Sequence, residues 1–156
     1  MSAGAPSHAA VAMTWLALVL AAALLTIGAY TYGFSLQVHQ RFWTDIADRI
    51  HGPMTFRFFL QPTMALIAAI PDGISNARGD GGTRGGVRQA LLATARTVLL
   101  GLSMDVIYQY KVLDRFYPAE AVMMAVLLAL IPYFVFRWIT QVLARWWLAR
   151  REHRTP

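Results

Sequence analysis

Hydrophobic positions in this chain fall into long blocks separated by short charged stretches. The first block, Val11–Tyr30 (VAMTWLALVLAAALLTIGAY), runs twenty residues without a charge. A helix of that length rises about 30 Å, the thickness of a bilayer's hydrocarbon core. A soluble helix of the same length keeps a polar face, and this one has none. The block therefore predicts a transmembrane helix over residues 11–32, ending at Tyr30 and Tyr32, whose rings favour the head-group layer. The leader MSAGAPSHAA lacks the Lys or Arg that opens a secretory signal, so the helix is read as retained.

Three further blocks follow. Residues 56–70 (FRFFLQPTMALIAAI) are short for a crossing and carry Arg57, Gln61 and Pro62, so a re-entrant segment is the alternative to a span. Residues 89–110 are apolar except for Arg96, Asp105 and a few hydroxyls, and residues 119–138 start with Glu120 just after Tyr117-Pro118, a helix-start signature. Pro132 is expected to kink this last helix. Between the first two blocks, Phe42, Trp43, Ile46 and Ile50 recur at helical spacing among charges, which predicts a short amphipathic helix at the interface, broken at Gly52-Pro53. Residues 71–88 hold six glycines and three arginines and read as a flexible loop. Its GDGGTRGG stretch lacks the Walker pattern and a preceding strand, so it is not read as a phosphate cradle. Residues 111–118 read as a turn, and residues 139–156 as a basic tail with Trp146 and Trp147 interleaved with arginines.

The expected fold is thus all-α: a polytopic membrane bundle of about four transmembrane helices plus one interfacial helix, forming a single integral membrane domain over residues 1–156. Composition agrees, with 57% hydrophobic and 14% charged residues. The net charge of +6 would suggest nucleic acid in a soluble protein, but no nucleic-acid module accompanies it. Basic residues at membrane borders meet anionic lipid head groups instead. With four crossings, both termini lie on one side. The glycine loop and tail carry seven of the flanking basic residues against five on the opposite side, which places the termini in the cytoplasm. The expected partners are the lipid bilayer, anionic lipid head groups, and either a membrane-protein partner or further copies of the chain.

Intramembrane charges are the candidate chemistry, because each costs at least about 2.5 kcal/mol at a helix centre unless it is buried or faces water. Arg96 and Asp105 are nine residues apart and point to opposite faces of one helix, so each needs a partner elsewhere. Arg96 either snorkels to the nearby basic loop, pairs with another helix or subunit, or holds an anion. Asp105, Tyr108 and Gln109 share a face. Their stripe reads as an interhelical clamp, a proton or ion path, or a subunit interface. Antiparallel crossings bring Arg57, Asp105 and Glu120 to similar depth, which predicts a polar cluster of Arg57, Gln61, Asp105, Tyr108 and Glu120, with Arg96 as a second polar site. The histidines His8, His39, His51 and His153 have no metal-ligand spacing, the serines lie in no nucleophile motif, and there is no cysteine. No catalytic residue, cofactor or metal is expected. The expected role is a non-catalytic accessory or assembly protein, with a small transporter or ion-conducting protein as the alternative.

The phrases FRFFLQP, PDGISNAR, DVIYQ and YPAEA together resemble a family of small uncharacterised bacterial inner-membrane proteins. The resemblance covers roughly residues 57–137 and falls on Arg57, Gln61, Pro62, Asp72, Gly73, Arg78, Asp105, Tyr108, Gln109, Tyr117, Pro118 and Glu120. It implies a bacterial envelope setting and no particular activity.

Overall fold

The computed structural model describes residues 6–33, 36–79, 86–114 and 116–152, and the side chains of these except 36–39, 47, 48, 86, 113, 151 and 152. Residues 80–85 of the glycine loop, the side chains of His39 and Asp48, Arg115 and the last four residues lie outside the described set.

The fold is all-helical, with four helical stretches long and apolar enough to cross a membrane. Helix α1 spans His8–Tyr32, with Ser7 as N-cap accepting from the Ala10 N–H and Gly33 ending it in the left-handed region. The amphipathic helix α2 spans Leu36–His51. Helix α3 spans Arg57–Ala77 and α4 spans Gly86–Tyr108, extended by a π-helical turn over Gln109–Leu113. Helix α5, Pro118–Ala125, leads through a π-helical segment, Val126–Leu130, into α6, Ile131–Glu152.

Several boundaries differ from the sequence expectation, α4 starting at Gly86 within the expected loop among them. Helix α3 continues seven residues beyond Ile70, through Pro71-Asp72-Gly73, where a loop was expected. Asp72 and Asn76 find partners on α4 and α6 there, and Gly73 lets α6 approach. A Cβ on Gly73 would stand 2.7 Å from the Thr140 Cβ and 2.9 Å from the Arg137 carbonyl oxygen. At 21 residues, α3 rises about 31 Å, enough for a crossing. Residues 111–113 belong to the π turn, and the bend comes at Asp114, a non-glycine residue at φ 50°. The basic tail is helical as far as Glu152, within α6. Pro132 shows its effect one turn upstream. Its ring would collide with the Leu128 carbonyl, and the widened segment accommodates this, with the Ile131 N–H donating five residues back to Val126.

Packing follows residue size. The buried positions of α1 are Ala17, Leu24 and Gly28, a single stripe laid on α4 and α5. At Gly28 an added Cβ would lie 2.8 Å from the Ala119 Cβ, so the backbones nearly touch, as small residues permit between membrane helices. Ala65, Ala69, Ala90 and Tyr133 form a second core among α3, α4 and α6. Phe42 of α2 packs with Met124 and Leu128 in a third. Many of the largest apolar side chains, Trp15, Phe59, Ile67 and Trp138 among them, point outward. In water this would be an aggregation hazard; facing acyl chains it is the expected surface.

Candidate functional site: a closed network of buried charges

Two carboxylates have no side-chain exposure in the bundle: Asp105 near the end of α4, and Glu120 in the first turn of α5. Burying a carboxylate is costly unless its oxygens are paired. Here every one is. Asp105 Oδ1 accepts from Arg49 Nη1 and from Arg57 Nη1, both at 2.7 Å. Its Oδ2 accepts from Gln109 Nε2, also at 2.7 Å. Glu120 Oε2 accepts from Arg49 Nη2 at 2.7 Å, and Oε1 from Arg41 Nη2 at 3.0 Å.

Arg49 is the hub. One guanidinium nitrogen reaches α4 and the other reaches α5, a forked geometry that a lysine ammonium does not supply. Arg57 comes from the first turn of α3. The fully buried set is therefore two guanidinium groups and two carboxylates, with no net charge. Arg41 extends it outward. This half-exposed side chain pairs with Glu120 and, at 3.7 Å, with Asp45 one turn on, and its guanidinium lies 3.3 Å from the Tyr117 ring centroid.

Aromatic and amide groups close the remaining sides. The Tyr108 ring lies 5.1 Å from the Arg57 guanidinium and 5.7 Å from that of Arg49, and Phe58 lies 5.4 Å from Arg57. These π faces cover guanidinium atoms that have no acceptor among the described residues: Nε of Arg49, and Nε and Nη2 of Arg57. Gln109 does double duty. Besides holding Asp105, its Nε2 donates to the Tyr117 carbonyl at 3.1 Å and its Oε1 accepts from the Tyr117 N–H at 2.5 Å, tying the end of α4 to the start of α5.

The residues expected to cluster do not all touch. Arg57 and Asp105 pair directly. Glu120 joins them through Arg49, which sequence reasoning left out, and through Arg41 at the rim. Gln61 is buried against Gly101, where an added Cβ would be 3.1 Å from Gln61 Nε2, and its Oε1 has no donor among the described residues. Tyr108 contributes its ring face. Arg96 is exposed on the outward face of α4 and makes no hydrogen bond or ion pair among the described residues. The nine-residue offset from Asp105 accounts for this, since it turns Arg96 away from the network.

A second polar cluster sits at the opposite end of α3. Asp72 accepts from Gln89 Nε2 of α4 at 2.6 Å and, by a short bond, from the Tyr133 hydroxyl of α6. With its carboxamide oxygen turned toward α6, Asn76 accepts from Arg137 Nε at 3.0 Å and Nη2 at 2.6 Å. The signal for this cluster was the helical spacing of Asp72 and Asn76, obscured by Pro71 and Gly73. Arg57 and Asp72 are fifteen residues apart, about 22 Å along the helix, so the two clusters fasten the bundle near its two ends.

Among the described residues, no group of three or more His, Cys, Asp or Glu side chains is placed to hold a metal ion. No protein-family model, curated protein or solved structure matches the chain.

Proposed function

We propose that this chain is a non-catalytic, multi-pass protein of a bacterial inner membrane, acting as an accessory or assembly component, with its charge network serving as a structural staple. The observation that carries the reading is the saturation of both buried carboxylates. All four oxygens of Asp105 and Glu120 are occupied by donors from the chain itself. A proton relay or ion path needs a carboxylate that exchanges partners with water or substrate. This one is enclosed by opposing charges and aromatic faces.

The staple has a definite task. Helix α2 is amphipathic and is not one of the candidate spans, and its attachment to the bundle rests on Phe42 and Ile46 and on Arg41 and Arg49. The network fixes α2 against α3, α4 and α5 at once. Orientation follows from the basic residues of the tail and glycine loop. They favour placing both termini in the cytoplasm and the charge network toward the outer face. The long outward apolar surfaces of α1 and α6 then meet lipid, a membrane-protein partner or further copies of the chain.

Purified protein in liposomes tests the reading. It should show no more proton or cation flux than empty vesicles. Purification in a mild detergent should recover a stoichiometric membrane partner. Flux that vanishes in Asp105→Asn would instead assign the network to conduction.

A further inference from the structure

A groove of about 420 Å³ opens between the last turn of α3 and the C-terminal half of α6. Its origin is local. Gly73 brings the two helices into contact at Thr140, and beyond that point the small side chains of Thr140 and Ala144 leave a gap. Ile74, Leu143 and Trp147 wall it, and Arg78 stands as its single charged lining residue. Arg78 is exposed, and among the described residues its side chain makes no hydrogen bond or ion pair. Gly79, at φ 83°, terminates the helix immediately after it.

Depth matters here. Twenty residues from the start of α3 bring the chain to about 30 Å, so Arg78 lies at the border between hydrocarbon and head groups. The same end carries Trp146, stacked under Arg150 at 3.5 Å, and the exposed Arg145. An apolar slot that opens beside an exposed guanidinium with no acceptor among the described residues matches, at this level, a molecule with an anionic head and an apolar body.

We infer that this groove is a specific site for an anionic phospholipid, with the lipid phosphate on Arg78 and the upper acyl segment against Ile74 and Leu143. The inference rests on membrane embedding alone and is independent of the staple reading. A cation at the last turn of a helix also favours the helix dipole, so the experiment separates that role from lipid binding.

Full-length protein is exchanged into detergent containing equal amounts of phosphatidylglycerol and phosphatidylcholine, and retained lipid is read by native mass spectrometry. The wild type should retain one phosphatidylglycerol in preference to phosphatidylcholine. Arg78→Gln should lower that preference about fivefold, the effect of one basic residue near an anionic surface, and Arg78→Lys should restore most of it. Ala144→Phe, which fills the slot while keeping it apolar, should reduce retention of both lipids. Excess inorganic phosphate should not displace the lipid. Equal retention of the two lipids by the wild type, or unchanged preference in Arg78→Gln, would overturn the site. Displacement by phosphate alone would overturn the lipid assignment. If Arg78→Gln lowers the melting temperature in lipid-free detergent but leaves the lipid preference intact, Arg78 serves only the helix end and the inference fails.

Discussion

Arg49 and Asp105 are separated by 56 positions in the chain and meet at 2.7 Å with no exposed side-chain surface on either. One belongs to a polar helix outside the four candidate spans, the other to a span. Their pairing makes α2 part of the bundle. A buried ion pair adds little stability compared with well-packed apolar residues, but removing one partner leaves the other uncompensated. Arg49→Gln should therefore destabilise the protein by about 3–5 kcal/mol. Reversible unfolding in mixed micelles measures it, and increased protease cleavage within residues 36–56 would locate the damage in α2.

Close approach at Gly28 makes a second expectation. A Cβ there would press on the Ala119 Cβ and on the Ala119 backbone nitrogen at 3.0 Å, atoms that cannot move without shifting α5. Gly28→Leu should cost about 1–3 kcal/mol through overpacking, while Ile27→Leu, one residue along on an exposed face, should be neutral. Melting temperatures of the two variants in the same detergent provide the comparison.

At the other end of α3, Tyr133→Phe removes the hydroxyl bonded to Asp72 without changing the packed ring. A hydrogen bond to a charged acceptor contributes about 1.5–3 kcal/mol, and the loss should fall in that range. In an Asp72→Ala background the same substitution should have little further effect. Unfolding of the two single variants and the double variant checks this coupling.

The chain has no cysteine, so single cysteines report topology without background. A cysteine at Ser7 and one at Val87 should react with an impermeant maleimide from the same side of the membrane, and one at Lys111 from the opposite side. In intact spheroplasts, the proposed orientation predicts labelling at position 111 alone.

Much of this arrangement could be read from residue order. Apolar length located the first, third and fourth spans, because the bilayer imposes a length on any helix that crosses it, and left residues 56–70 open between a span and a re-entrant segment. Antiparallel crossings placed Arg57 with Asp105. What escaped was the cation that joins Asp105 to Glu120. Arg41, Asp45 and Arg49 follow one another at four-residue steps on α2, a pattern that also describes the solvated face of an interfacial helix. The distinguishing signal was arithmetic, since two intramembrane carboxylates faced one expected arginine. The Asp72 cluster escaped for a different reason. Proline and glycine beside an aspartate mark a loop by local preference, and only contacts with Gln89, Tyr133 and Thr140 keep that stretch helical. Tertiary partners overrode a local rule there, whereas the widened turn before Pro132 is the local effect of the proline itself.

The staple account is tested most directly by a double-mutant cycle on unfolding free energy with Arg49→Gln, Asp105→Asn and the pair combined. The two changes share one hydrogen-bonded network, so the combined variant should fall short of the summed single losses by about 1–3 kcal/mol. Losses that add to within about 0.5 kcal/mol would mean that Arg49 and Asp105 act independently, and would contradict it.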